Sequence, residues 1–201
     1  MMLTADLLLA FVLFAFVSSI TPGPNNTMLL SSGVNFGFNR TIPHMLGVSF
    51  GFALMVLAVG FGLGAVFKAY PVLYTALRYA GAAYLLYLAY KIATSGPASE
   101  SAERRGKPMS CLSAAAFQWV NPKAWVMAVG AISTYTPMNG YFTNVVLIAM
   151  VFGIVNLPAV GMWAGFGSLL RNVLRDPFWL RVFNGIMALL LVLSLYPLLE
   201  H

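Results

Sequence analysis

Charged side chains are absent over long stretches of this chain: residues 7–39, 41–67 and 124–170 contain no Asp, Glu, Lys or Arg. About 20 apolar residues suffice for a helix to cross the roughly 30 Å of hydrocarbon in a bilayer, and each stretch exceeds that length. The 47-residue stretch 124–170 is too long for one crossing, and the turn-forming residues Thr136, Pro137, Met138, Asn139 and Gly140 divide it. The pattern predicts six helices near residues 7–33, 42–67, 72–94, 111–135, 143–167 and 179–199. Segment 95–110 is polar, carries both signs of charge and contains Gly96, Pro97, Gly106 and Pro108. As the one linker, it separates a first repeat, 1–94, from a second, 111–201, within a single transmembrane domain spanning 1–201. With three spans per half, the second half enters the membrane upside down relative to the first. The predicted fold class is an all-α membrane protein, six transmembrane helices arranged as a 3+3 inverted repeat with broken first and fourth helices.

Composition narrows the class further. Hydrophobic residues make up 60% of the 201 positions and charged residues only 8%, against about 25% charged in soluble domains; the mean hydropathy is +0.84. A water-soluble enzyme and an intrinsically disordered chain are both excluded on these grounds. The net charge of +6 does not indicate a nucleic-acid partner, because the Lys and Arg residues sit at helix ends or in loops with no basic face interleaved with aromatics. They instead obey the positive-inside bias. Arg40, Lys91, Arg104, Arg105, Lys107, Arg171, Arg175 and Arg181 fall on the linker side, whereas Lys68 and Arg78 fall on the other. The linker is therefore expected in the cytoplasm and both termini in the periplasm, with Asp6 and Glu200 at the outer surface, in a bacterial inner membrane. The N-terminal stretch lacks a basic region and stays apolar through Met28, Leu29 and Leu30, so it reads as a retained first helix and not as a cleaved leader. The lone Cys111 precludes an intramolecular disulfide and reads as a small packing residue.

The candidate chemistry lies at breaks inside the apolar stretches. Thr21-Pro22-Gly23-Pro24-Asn25-Asn26 interrupts the first span, Val120-Asn121-Pro122-Lys123 the fourth, and Asn156-Leu157-Pro158 the fifth. The prolines remove amide donors and block helical bonds to the preceding turn. A mid-membrane break is tolerated only beside protein or a water-filled cavity. Pro22 and Pro122 stand 100 positions apart, in corresponding places of the two halves. Paired breaks of this kind expose half-helix N-termini that attract carboxylates and free carbonyls that attract ammonium groups, whereas the Asn156–Pro158 break taken alone reads as a structural kink. Lys123 lies 12 residues into the fourth span, beyond snorkelling reach, so it should face a polar interior. Arg78 is divided between a surface and a functional role, and the lone His44 reads as a hydrogen-bonding residue near the inner surface. Gly47-x3-Gly51 and Gly60-x-Gly62-x-Gly64 read as places of close helix approach. All the acidic residues lie at the termini or in loops, which argues against a buried carboxylate proton relay. No catalytic, zinc-binding or phosphate-loop motif occurs, so neither an enzyme nor a resident cofactor or metal is expected.

Thr-Pro-Gly-Pro-Asn-Asn at 21–26, Gly81-Ala82-Ala83-Tyr84-Leu85 with a basic residue at 91, and Asn121-Pro122-Lys123-Ala124 together resemble the LysE/RhtB family of bacterial amino-acid exporters. The resemblance covers the whole chain in length, span pattern and motif order. Tyr90-Lys91-Ile92-Ala93-Thr94-Ser95 and Ala131-Ile132-Ser133-Thr134 are similar to the branch that exports cysteine and O-acetylserine. The resemblance implies export of amino acids or close derivatives from the cytoplasm, driven by the proton motive force. It also implies substrate binding by Pro22, Gly23, Pro24, Asn25, Asn26, Asn121, Pro122 and Lys123, to which the fifth-span break adds Asn156. On this reading Lys123 and the half-helix N-termini serve the substrate carboxylate, and Asn25, Asn26 and Asn121 serve its ammonium group. Without a buried acid to balance a third charge, a small neutral substrate fits better than lysine. The expected partners are this amino acid and the lipid bilayer, with a homodimer as one candidate assembly. A passive channel for small metabolites or ions is the alternative.

Overall fold

The computed structural model describes residues 4–95, 107–174 and 176–195. Arg104, Arg105, Arg175, Glu200 and linker residues 96–106 lie outside the described residues, as do the side chains of Lys68 and Arg78. The described residues form helices and no strands. In chain order they are α1 (Ala5–Ile20), α2 (Pro24–Phe36), α3 (Phe38–Ala58), a π-helical turn (Val59–Leu63), α4 (Gly64–Ala69) and α5 (Pro71–Ala93). Then follow α6 (Cys111–Phe117), a 3-10 turn (Gln118–Val120), α7 (Pro122–Tyr135), α8 (Tyr141–Val173) and α9 (Pro177–Leu193). Phe38–Leu63 and Tyr141–Val173 are each long and apolar enough to cross a membrane, and α1 with α2, bent by 56° at their break, make a third span if counted together.

Several prolines that break the apolar pattern begin helices. Pro24, Pro71, Pro122 and Pro177 open α2, α5, α7 and α9, positions where the missing amide would have no helical partner and the fixed φ is already helical. Asn121 and Asp176 cap the starts of α7 and α9 by accepting backbone N–H bonds from Lys123 (3.2 Å) and Phe178 (2.7 Å). Pro158 behaves differently. The expected break in the fifth span does not occur: α8 runs continuously for 33 residues with Pro158 inside it. The proline deletes one bond from a long ladder, and the packing of α1, α2 and α3 along α8 holds the helix through that gap. The predicted second span, 42–67, is in turn interrupted at a place the pattern did not reveal: Gly62, at φ 111°, lies in the π-helical turn between α3 and α4. Only glycine adopts that backbone without strain.

Helix α8 is the central element and packs against α1, α2 and α3, while α3 also packs against α6, and α5 against α9. Small residues permit the closest approaches, as expected where lipid supplies no hydrophobic drive between helices. A Cβ placed on Gly33 of α2 would collide with the Ala164 carbonyl and lie 2.9 Å from the Ser168 nitrogen of α8. Gly47 and Gly51 of α3 sit in the same way on Cys111, Ala114 and Ala115 of α6, as their spacing predicted. Cys111 itself is exposed at the start of α6, not packed away; its backbone touches α3 while its side chain points outward from this first turn. Three apolar clusters result. One joins α1, α3, α7 and α8 around Phe11, Phe52 and Phe152, another joins α2, α5, α6 and α9 around Leu85, Phe117 and Leu191, and the third centres on Leu29, Val48 and Val160.

Gly33→Ala should destabilise the protein by about 1–3 kcal/mol through overpacking. Gly185→Ala, where an added Cβ meets no atom within 4 Å, should leave it unchanged or slightly more stable. Thermal melting of the detergent-solubilised proteins checks the pair, and equal melting temperatures would refute the tight α2–α8 contact.

Candidate functional site

A helix that ends inside an apolar protein leaves its last carbonyls without partners, and in hydrocarbon each unmet group costs several kcal/mol. Helix α1 ends at Ile20, where Thr21 and Pro22 remain exposed, and Pro22 and Pro24 can donate nothing in return. Side chains from three other helices supply the missing donors. Asn26 Nδ2 donates to the Ser19 carbonyl (2.8 Å) and to the Thr21 carbonyl (2.7 Å). Trp163 Nε1 of α8 donates to the Ile20 carbonyl at 3.0 Å. Lys123 Nζ of α7 donates to the Thr21 carbonyl (2.6 Å), the Thr21 hydroxyl (2.9 Å) and the Pro22 carbonyl (3.2 Å). Carbonyls 19 to 22 are thus each satisfied by a side chain.

The Lys123 stem lies along Gly23, where an added Cβ would come within 2.7 Å of Cδ. The backbone there is extended, with φ 174°, so glycine is needed at this position for space and not for its conformational freedom. The ammonium sits at the negative end of the α1 dipole, which carries about half an elementary charge. Among the described residues no carboxylate lines the site, so it retains net positive charge that suits an anionic group. All three ammonium donors are nevertheless engaged, and direct binding of a carboxylate by Lys123 requires one of these bonds to give way.

The second break is satisfied from within its own segment. The Asn121 N–H donates back to the Gln118 carbonyl at 3.2 Å, and Trp125 Nε1 of α7 donates to the Trp119 carbonyl at 2.9 Å. The two halves meet at a reciprocal amide pair: Asn25 Nδ2 donates to Gln118 Oε1 (2.8 Å), and Gln118 Nε2 donates to Asn25 Oδ1 (3.1 Å). Asn156 of α8 donates to the Ser49 hydroxyl of α3 at 3.1 Å.

Gly23, Asn25, Asn26, Asn121, Lys123 and Asn156 line one cavity at this junction, together with Ser18, Ser19 and Gln118. Pro22, Pro24 and Pro122 set the course of the backbone at its edge. The free space is ≈ 20 Å³, room for about one water molecule. The Ser19 hydroxyl is buried against this space and has no hydrogen-bond partner among the described residues. A larger cleft of ≈ 550 Å³ opens between α2, α3, α5 and α6, lined by Ser31, Asn35, His44, Tyr84, Lys91 and Lys107 among others. His44 departs from expectation. It is buried, and although it lines this cleft beside Ser31, Ser32 and Asn35, neither ring nitrogen has a hydrogen-bond partner among the described residues. The described residues contain no group of three or more His, Cys, Asp or Glu that would hold a metal.

The sequence reading missed Gln118, Ser19 and Trp163. Gln118 carried a usable signal, since it is the only glutamine in the sequence and lies in an apolar stretch three residues before Asn121. Ser19 and Trp163 carried none, because an isolated serine or tryptophan in an apolar helix is ordinary.

Residues 16–195 match the model of the LysE type translocator family. The chain is 34% identical over 194 residues to cysteine/O-acetylserine efflux proteins of Escherichia coli strain K12, Shigella sonnei strain Ss046 and Salmonella typhimurium strain LT2, covering 94% of this chain and 96% of each relative. No solved structure matches. With a family match spanning nearly the whole chain and relatives aligned almost end to end, this protein belongs to the LysE type translocators.

Proposed function

We propose that this protein is a secondary exporter of small neutral amino acids or their derivatives, of the cysteine and O-acetylserine kind and extending to threonine-like substrates. On this reading it works by alternating access and is driven by the proton motive force. The relatives' efflux of cysteine and O-acetylserine supports the substrate class. The observation that carries the reading is Lys123: a cation from the second half, held at the broken helix of the first, beside a cavity lined by residues of both breaks. A zwitterion needs a positive field for its carboxylate and oxygen acceptors for its ammonium group, and this cavity offers both. The small free volume, ≈ 20 Å³, favours a carrier over a continuous pore.

In the proposed arrangement six spans form a 3+3 inverted repeat. Reciprocal packing supports it, since α1 lies on α8 as α6 lies on α3. Exposed side chains such as Leu9, Phe50, Ile154 and Leu169 face lipid. The linker lies in the cytoplasm and the termini in the periplasm. Arg171 lies beside Gly37 at the α2–α3 turn, and Asn184 of α9 donates to the Ser95 carbonyl past the end of α5. Arg40, Lys91, Arg171 and Arg181 therefore share one end of the bundle, as a positive-inside arrangement requires.

Cells preloaded with labelled cysteine, O-acetylserine, threonine or lysine should lose a small neutral amino acid by saturable, uncoupler-sensitive efflux. Loss that never saturates and ignores the uncoupler would favour the channel, and no loss above control cells would remove amino acids as substrates. Lys123→Ala should reduce that efflux at least tenfold at an unchanged level in the membrane, and a parental rate would take Lys123 out of the mechanism. A reporter fused to the C-terminus should read as periplasmic; a cytoplasmic signal would overturn the orientation and the span count together.

A further inference from the structure

The mid-protein cavity and the large cleft are separated by a thin partition. Asn25 and Gln118 line the cavity, while Met28, one helical turn farther along α2, and Ser113 of α6 line the cleft. The reciprocal amide pair between Asn25 and Gln118 stands at this boundary. Next to it Met28 and Phe117 are buried in one apolar cluster, and the Tyr84 ring lies 5.8 Å from that of Phe117. The partition is therefore a polar layer backed by an apolar one, each with one wall in either half of the chain.

Gln118 is 0% exposed, and a third bond from its Nε2 to the Ala114 carbonyl at 2.9 Å fixes its side chain against α6. In a low-dielectric interior such a paired amide is held firmly and is costly to separate unless new partners replace the old ones. A free amino acid carries the required complement: its ammonium group donates and its carboxylate accepts. The Ser19 hydroxyl, which lines the same cavity and has no partner among the described residues, leaves a further polar position unfilled there.

We propose that Asn25 and Gln118 form the seal between the cavity and the cleft, and that a substrate passes by taking over the hydrogen bonds this amide pair makes with itself. The ammonium group donates to the two amide oxygens, and the carboxylate accepts from the amide N–H groups. Solutes lacking either group leave one side of the opened pair unmet, so the seal selects zwitterions. Recognition rests on the export reading above, whereas the seal does not.

The test uses the full-length protein in membrane vesicles, with Cys111→Ser and Ser19→Cys leaving a single thiol on the cavity wall. Ser19→Cys is nearly isosteric and breaks no hydrogen bond made by the hydroxyl. A membrane-impermeant maleimide is applied from the face at which the native, exposed Cys111 reacts. Labelling should be slow with Gln118 in place and at least tenfold faster in Gln118→Met, which keeps the bulk and removes both bonds to Asn25. Gln118→Asn, one methylene too short to span the pair, should label several-fold faster than the parent and serves if Gln118→Met does not reach the membrane. Parental labelling rates in these variants overturn the seal. In efflux assays with O-acetylserine, either variant should raise KM about tenfold, and an unchanged KM overturns the recognition role. Faster labelling without transport of any amino acid upholds the seal and removes the export reading instead.

Discussion

A backbone carbonyl in low-dielectric surroundings must find a donor, and the chain at the end of α1 presents four of them, from Ser19 to Pro22, beside two prolines that can donate nothing. Asn26, Trp163 and Lys123 meet that demand from α2, α8 and α7. This single requirement brings the two halves of the chain together. It draws the one charged side chain of the fourth apolar stretch across to the first, and it places a cation at the negative end of a helix dipole. The polar cavity is a consequence of satisfying the break.

On the proposed reading, stability and function draw on the same groups. The ammonium of Lys123 neutralises carbonyl dipoles and would have to release at least one of them to receive a carboxylate. The amides of Asn25 and Gln118 satisfy each other until another polar group competes. Such mutual pairs cost little to maintain and little to exchange, provided the incoming molecule offers donors and acceptors in the same number. On the proposed alternating-access reading, a site built of interchangeable bonds lets the protein change state without leaving buried polar groups unmet.

The helices around the cavity divide the remaining work. Glycine contacts between α2 and α8, and between α3 and α6, bring backbones close enough for short polar side chains to reach across. The aromatic cluster of Phe11, Phe52 and Phe152, with edge-to-face contacts from Phe152 to both of the others at 5.4 and 4.7 Å, backs the cavity from one side. Met28, Phe117 and Leu85 back it from the other. Polar groups are thereby confined to a narrow layer, where the field of one ammonium is least screened by water.

Much of this was written in the order of residues. Long charge-free stretches, separated by one polar linker, dictate an all-helical apolar protein because only helices satisfy their own backbone in lipid. The proline breaks at 22–24 and 122, with Lys123 inside the fourth predicted span, dictate where polarity must collect. What sequence could not settle was which helical breaks persist. Pro158 is absorbed within α8 by the helices packed on it, whereas Gly62 interrupts a stretch that looks continuous. Nor could it assign partners: that Gln118 meets Asn25 across 93 positions, that Cys111 is exposed, and that His44 is buried with no hydrogen-bond partner among the described residues depend on how helices rotate about their axes. Local pattern sets the length and polarity of each helix, but rotation and contact are fixed only when all the faces are packed at once, and that is where tertiary structure decided the site.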